Sequence, residues 1–249
     1  MIKINFGIYL REDDIKEIDD EHGRNTNVID GADILLKRFI SIANIMDNAK
    51  KGSSDWFLTG KSQKDAMKKK VISEGVITKN ANSLMANKLI NDYPIIVSKI
   101  WNDDKDYILC RNYMQSNINL FSYGVCFSVE HQEQAKEYVA EIIKYLISEL
   151  SPRIIKVETN DYTLEEHQVF PDRLSVGWMF YTDSIYDEKK LGLGNQMHTM
   201  TKNGQAVGTL FLSKLDFFDG SNENDIALAN DLEITLAGHG VLPTFSTIF

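Results

Sequence analysis

The hydrophobic pattern has a period of two in the first ten residues and a period near 3.6 soon afterwards. Residues 2–10 alternate apolar and polar or small side chains, as a half-buried strand does. After a polar segment, Asp30 is a candidate N-cap for a helix that reaches about Asn48. The apolar stripe of this helix is spaced by four, three and four residues and consists of Leu35, Phe39, Ile42 and Met46.

The middle of the chain predicts a helix, a hairpin and a second helix. Residues 79–92 are weakly helical, and residues 106–114 and 119–129 are predicted strands around a turn at "QSNIN". A long helix over about 131–150 ends before Pro152, and its stripe is Ala135, Tyr138, Val139, Ile142, Leu146 and Leu150. If the hairpin centres near Ile118, Cys110 lies opposite Cys126. The two cysteines have no zinc or redox spacing and are interpreted as small buried hydrophobes.

The last third predicts strands over 153–159, 175–182 and 206–213, with a long glycine-containing loop from 191 to 205. A turn at "DGSNEND" leads into an amphipathic helix over 223–237, which Gly238 and Gly240 end. Because helices and strands do not alternate as regular βαβ units, the predicted fold class is α+β. We expect a largely antiparallel sheet packed with helices, in a single domain over residues 1–249.

The net charge of the chain limits the classes of partner that we expect it to bind. There are 27 basic and 36 acidic residues, giving a formal net charge of -9, which argues against nucleic acid or an anionic membrane as a partner and permits a basic protein. No apolar run approaches the ~20 residues that span a bilayer. The N-terminus lacks the pattern of a signal peptide, so a cytoplasmic location is expected.

The stretch "WFLTGKSQKDAM" contains the Gly-Lys-Ser of a phosphate-binding loop, but Asp55 occupies the position of the required first glycine. A carboxylate there repels phosphate, so a nucleotide site is not expected. The stretch is better interpreted as Ser62 capping a short helix, with Asp65 completing a capping-box-like arrangement. Gly60 then supplies a turn, and Trp56 and Leu58 anchor that turn on the core.

Other catalytic patterns are weak. "LGLGN" offers Gly192 and Gly194 but has Met197 at the next fingerprint position, and the five histidines have no metal-ligand spacing. No catalytic, cofactor-binding or metal residue is therefore predicted, and no cofactor is expected. The alternative of a small cytoplasmic enzyme uses the Glu165–His167 region or the 191–195 loop, and requires these residues to converge on one pocket.

Between Arg11 and Glu21, seven carboxylates stand against two cations. This segment is either a solvated loop or a site of electrostatic steering that speeds association with a basic surface. Under the second interpretation, the candidate partner-binding residues are Glu12, Asp13, Asp14, Asp19 and Asp20.

Three pieces of the chain carry a family resemblance. They are the Trp-Phe-Leu-x-Gly-x-Ser-x-x-x-Ala pattern within 55–66, "VGWMFYT" at 176–182, and the strand, Phe-Asp turn and capped helix of 208–242. Together they resemble the immunity protein 52 family of bacterial polymorphic toxin systems, whereas 79–150 does not align. The matching structural positions are Trp56, Leu58, Gly60, Ser62, Gly177, Trp178 and Asp219.

The resemblance implies a non-enzymatic antitoxin in the cytoplasm of the producing cell. Such a protein binds a cognate toxin, which in this family often has a restriction-endonuclease-like nuclease domain delivered by a secretion system such as type VI. A structural adaptor for a non-toxin protein is a further alternative.

Overall fold

The structure is a computed structural model that describes residues 1–11, 24–92, 96–114 and 117–248. The strands are β1 (Ile2–Arg11), β2 (Trp56–Leu58), β3 (Lys70–Ser73), β4 (Val76–Ile77), β5 (Val97–Trp101), β6 (Tyr107–Met114), β7 (Asn117–Val129), β8 (Ile154–Thr159), β9 (Met179–Thr182), β10 (Met197–Lys202) and β11 (Gln205–Leu212). The helices are α1 (Arg24–Ala49), α2 (Gln63–Ala66), α3 (Ala81–Asp92), α4 (Gln132–Leu150), α5 (Glu188–Leu191) and α6 (Glu223–Gly238).

The strands form one 11-stranded sheet in the order β10-β11-β9-β8-β1-β7-β6-β5-β2-β3-β4. Neighbouring strands in this sheet pair antiparallel throughout. The predicted α+β class with an antiparallel sheet is therefore confirmed. The first strand of the sequence lies near the middle of the sheet, so the sheet is built outward on both sides of β1.

The two faces of the sheet bury different sets of side chains. One face packs against α1, α3 and α4, and β1 contributes the alternate residues Ile4, Phe6 and Ile8 to that core. The opposite face is covered over β8, β9 and β11 by α6 and the C-terminal residues, where Phe180 and Phe211 pack with Leu232. Because successive side chains of a strand point to opposite faces, one sheet contributes to both cores.

Several predicted helical features are confirmed. The stripe of α1 is buried throughout, with Leu35 and Phe39 fully inaccessible to solvent. In α4 the buried residues include Ala135, Val139 and Leu146, and Tyr138 is half-buried. The predicted turn before α6 ends in Asn222, whose side chain accepts hydrogen bonds from the backbone N–H groups of residues 224 and 225. Among the described residues, no helix is both long and apolar enough to cross a membrane.

Two predictions about local geometry are wrong. Asp30 does not cap α1, because the helix begins at Arg24 and Asp30 lies inside it. The cysteines do not face each other, since Cys110 pairs with Tyr123 and Cys126 pairs with Tyr107. Met114 pairs with Asn117, so the hairpin does not centre on Ile118, and the register also shifts between residues 112 and 114. Both cysteines are buried, and neither forms a disulfide within the described part of the chain.

The glycine-containing segment 191–205 is more ordered than predicted. It ends α5 at Leu191, forms a single 3-10 turn over Gly194–Gln196, and then contributes β10. The predicted strand 175–182 is shorter, because only Met179–Thr182 joins the sheet. The predicted helix after Ser62 is likewise only one turn long, over Gln63–Ala66.

Candidate functional site

A polar cleft opens where β7 ends, between the α1–β2 loop, the β3–β4 turn and the β5–β6 turn. It consists of two cavities of about 580 and 370 Å³. Both cavities are lined by Ser53, Ser54 and Asp104, so they form one depression, called the acidic cleft below. Its charged lining residues are Asp47, Lys50, Asp55, Lys70, Glu74, Asp103, Asp104 and Glu130.

Asp47 fixes the α1–β2 loop that forms one wall. Its carboxylate lies in the last turns of α1, is only 7% exposed, and accepts a hydrogen bond from the Ser54 backbone N–H at 3.0 Å. Its backbone oxygen accepts a second bond from the Gly52 N–H at 2.9 Å. Burial raises the pKa of Asp47, while the Ser54 bond opposes that rise. The loop is thus held to the helix end from two sides.

The β5–β6 turn presents two carboxylates at the rim. Asn102 and Asp106 are buried at its base, where the Asp106 N–H donates to Asn102 Oδ1 at 2.9 Å and Asn102 Nδ2 donates to Asp106 Oδ2 at 3.2 Å. Lys50, which follows the last residue of α1, forms an ion pair with Asp106. This closed set of bonds fixes the turn, and Asp103 and Asp104 between its two ends remain exposed.

Both cations of the acidic cleft are already neutralised. Lys70 pairs with Asp55, which also accepts a hydrogen bond from Ser73 Oγ at 2.6 Å. The hydrogen bond from Lys70, followed by the one from Ser73, lowers the pKa of Asp55. In contrast, Glu74, Asp103 and Asp104 form no ion pair with another residue in the described part of the chain. They give the cleft its unbalanced negative charge.

The arrangement suits recognition of a basic surface. An open depression lined by uncompensated carboxylates attracts a cationic partner and disfavours an anionic one. In the described ranges, no three His, Cys, Asp or Glu side chains are grouped so that they could hold a metal ion.

The predicted partner-binding residues Glu12, Asp13, Asp14, Asp19 and Asp20 lie outside the described residues, so their role stays a prediction. Arg11, the last described residue before them, lies at the far end of β1 from the cleft. Residue 3 at the beginning of β1 pairs with Ser128, which lines the cleft, whereas Arg11 pairs with Leu120. Eight residues of extended chain separate these positions by ~27 Å.

The motif within 55–66 forms a turn that packs against the core. Trp56 and Leu58 are 0% and 3% exposed in the core below the turn. Ser62 Oγ accepts from the Asp65 N–H at 3.2 Å, and Asp65 accepts from the Lys61 N–H at 3.0 Å. A Cβ atom on Gly60 would lie 2.5 Å from the Ala66 nitrogen, so only glycine fits there. Ser62 therefore caps α2, and Asp65 bonds the N–H one residue before the one that a capping box would use.

The motifs at 176–182 and 208–242 pack against each other. Gly177 has a φ of 58°, and a Cβ there would lie 2.9 Å from the Val157 oxygen, so glycine lets this segment dock on β8. Trp178 is buried and packs edge-on against Phe217, with ring centroids 5.6 Å apart. Asp219 accepts from Asn160 Nδ2 at 2.7 Å. These residues brace the interior around β8 and lie outside the acidic cleft.

The residues of the enzyme alternative occupy two different settings. His167 stacks at a tilt on Tyr162, with ring centroids 6.0 Å apart, while Glu165 and Glu166 are exposed. The 191–195 segment instead packs Leu191 and Leu193 onto the cluster beneath α6. Across the described chain, no hydrogen bond or ion pair joins these two regions.

Sequence reasoning missed Glu74, Asp103 and Asp104. The signal was present in "NDDKD" at 102–106, a run of turn-forming carboxylates between two strands. It could not be assigned to a site, because the pairing of β5 with β6 and of β2 with β3 is what brings these turns together with the end of α1.

Comparisons with known proteins leave the family open. No family model matches the chain, and no curated protein matches it. Among solved structures, the chain is similar to the T6SS protein PA0821 of Pseudomonas aeruginosa, with a TM-score of 0.49 and 9% sequence identity. The match covers 95% of this chain and 76% of that one. The resemblance to the immunity protein 52 family therefore stays a prediction.

Proposed function

We propose that this protein is an immunity protein that binds and neutralises a cognate nuclease toxin in the producing cell. The observation that carries the proposal is the acidic cleft, whose two lysines are neutralised internally while Glu74, Asp103 and Asp104 remain uncompensated. A nuclease must present a basic surface to the phosphates of its substrate. Carboxylates fixed on a scaffold can occupy such a surface in their place.

The family resemblance of the three sequence motifs supports the same function independently of the cleft. Its motif residues Gly60 and Gly177 both lie where a side chain would collide with the backbone, so they report on the fold rather than on a catalytic role. A stable complex of this kind buries ~1,600 Å² of surface. The acidic cleft accounts for the electrostatic part of that interface, and it permits either direct coverage of the nuclease cleft or a block of substrate access nearby.

Co-expression tests the proposed function. The protein encoded beside this chain is produced in a sensitive host with and without the chain, and survival and co-purification are recorded. We expect toxicity alone, rescue by the chain, and a purified complex. If the neighbouring protein is not toxic, or is toxic without rescue or binding, the immunity function is wrong.

A charge-matched pair of variants tests the site. The cleft variant Glu74→Gln/Asp103→Asn/Asp104→Asn removes three exposed carboxylates, and the control Glu149→Gln/Glu188→Gln/Asp231→Asn removes three exposed carboxylates elsewhere. We expect rescue to weaken for the cleft variant alone. If both variants rescue equally well, the immunity function still holds, but the acidic cleft is not part of the interface. The experiment therefore distinguishes failure of the proposed site from failure of the proposed function.

A further inference from the structure

The two edges of the sheet differ in how well they are protected against pairing with another strand. At one edge, β4 is only two residues long. At the other edge, β10 is six residues long and pairs with β11 alone among the described strands. Edge strands are kept from pairing by short length, prolines and charged side chains. Because β10 has no proline and its lysine, Lys202, is its last residue, β10 is the unprotected edge.

The backbone of β10 offers hydrogen-bonding groups at Thr199. The Met197 N–H donates to the Gly194 backbone oxygen rather than to β11. Residues of an antiparallel strand alternate between bonding the partner strand and pointing their N–H and C=O groups away from it. Two residues after Met197, Thr199 therefore points both groups away from β11, and no other backbone group in the described ranges bonds them. Since the Thr199 side chain is exposed, a further strand can approach here.

The irregularity in the β10–β11 pair leaves β10 itself regular. Met200 pairs with Gly208 and the next residue, Thr201, pairs with Ala206, so Val207 is the extra residue of a bulge. A bulge bends the strand that carries the extra residue, which is β11. The outer edge of β10 therefore continues without a break past Thr201.

β10 is complementary to a second copy of itself. Around a two-fold axis at Thr199, an antiparallel pair places Thr199 opposite its own copy, where the two residues exchange both backbone hydrogen bonds. His198 then lies opposite Met200 of the second copy, and Lys202 lies opposite Gln196. Paired threonines are a favourable cross-strand contact, and no like charges stand directly opposite each other.

The net charge of -9 does not act at this contact. No aspartate or glutamate occurs from Lys189 to Leu215, so the pairing does not bring carboxylates of β10 or β11 face to face. The two copies of Lys202 are separated by six residues of extended chain, or ~20 Å, which is longer than the Debye length of ~8 Å at physiological salt. Repulsion between the copies is therefore screened.

We infer that two copies of this chain associate through β10, antiparallel, around a two-fold axis at Thr199. The sheet then continues from one copy into the other. Ten inter-strand spacings of ~4.8 Å separate β10 from β4, and the acidic cleft lies beside β4 at the β3–β4 turn. The dimer therefore leaves both clefts open, and the inference does not depend on the immunity function.

Sedimentation velocity of the full chain at increasing protein concentration tests the inference. A contact built on one pair of edge strands is small, so we expect a monomer–dimer equilibrium between about 1 and about 200 μM. Thr199→Lys and Thr199→Glu each place like charges across the axis and should each weaken dimerisation at least about tenfold. An equimolar mixture of the two variants should dimerise again, because a lysine then faces a glutamate.

A matched control places the same charge elsewhere. Thr59→Lys changes an exposed threonine after β2 and should dimerise like the wild type. Circular dichroism should show the wild-type fold for all variants, since both threonine side chains are exposed. A wild type that stays monomeric to about 200 μM would overturn the inference. So would undiminished dimerisation of Thr199→Lys, or a mixture of the two Thr199 variants that stays monomeric.

Discussion

Two helices each use one buried carboxylate to hold an irregular segment in place. One of these segments is buried in the core, and the other lines the acidic cleft. Asp47 of α1 accepts the Ser54 N–H at 3.0 Å. Glu233 of α6 accepts the N–H groups of Val169 and Val176, both at 2.8 Å, and the Tyr162 hydroxyl at 3.3 Å. The same chemical device therefore fixes a loop on each half of the sheet.

The difference lies in what each loop presents. The segment held by Glu233 turns inward, since residues 174–180 are buried and Trp178 docks on the core. The loop held by Asp47 instead forms a wall of the acidic cleft, beside the exposed Asp103 and Asp104. We therefore expect changes around Glu233 to alter stability and changes on the cleft rim to alter binding, with little exchange between the two effects.

The largest expected effect is on the Glu233 side. Glu233→Ala leaves one buried and one part-buried backbone N–H group without an acceptor and should lower the free energy of unfolding by about 3 kcal/mol. Urea denaturation measures this, with the exposed Glu149→Ala as control, expected within about 0.5 kcal/mol of the wild type. A loss below about 1 kcal/mol for Glu233→Ala would show that Glu233 does not stabilise this segment. The proposed difference between the two loops would then be wrong.

Alanine substitutions at two glycines distinguish the stability cost of backbone strain from that of a steric collision. Gly177 and Gly192 both have positive φ, at 58° and 68°. A Cβ added at Gly177 would lie 2.9 Å from Val157 O, whereas a Cβ added at Gly192 would have nothing within 4 Å. Gly192→Ala should cost about 1 kcal/mol through strain alone, and Gly177→Ala should cost clearly more. Thermal or urea unfolding of both variants checks the order, and equal losses would mean that close docking on β8 adds nothing.

A smaller effect concerns pH. Burial raises the pKa of Glu233 above its ordinary value of 4.5, although its hydrogen bonds from Val169 and Val176 oppose the rise. A folded-state pKa above the unfolded one contributes stability at low pH that is lost as pH rises through the folded value. Between about pH 5 and about pH 8, Glu233→Gln should therefore lose less stability than the wild type. The slope is read from urea unfolding at several pH values, and a steeper fall for Glu233→Gln contradicts the assignment.

Much of the fold followed from local pattern, because β1, α4 and the Asn222 cap of α6 depend on periodicity and on one capping side chain. The misplaced features depended on distant partners. The predicted pairing of Cys110 with Cys126 is wrong because it assumed a hairpin centred on Ile118, a centre that the polar residues around the turn do not fix. Met114 pairs with Asn117, so Ile118 lies in β7. β10 was missed because its burial pattern is mostly exposed, as expected for an edge strand.

The candidate site was less predictable than the fold. The turn residues Glu74, Asp103 and Asp104 are ordinary polar turn residues in the sequence, and only the pairing of β2, β3, β5 and β6 assembles them beside α1. The structural motif residues were easier to assign, because tight turns restrict the choice of residue at Gly60 and capping restricts it at Ser62.

The rate at which the chain associates with the toxin proposed as its partner, measured against salt concentration, tests the central claim most directly. Stopped-flow fluorescence would compare the wild type with Glu74→Gln/Asp103→Asn/Asp104→Asn and with the control Glu149→Gln/Glu188→Gln/Asp231→Asn, after urea unfolding shows that all three have similar stability. Electrostatic steering by the acidic cleft predicts slower association and a flatter salt dependence for the cleft variant alone. Identical rates and salt slopes for the two triple variants would contradict the account.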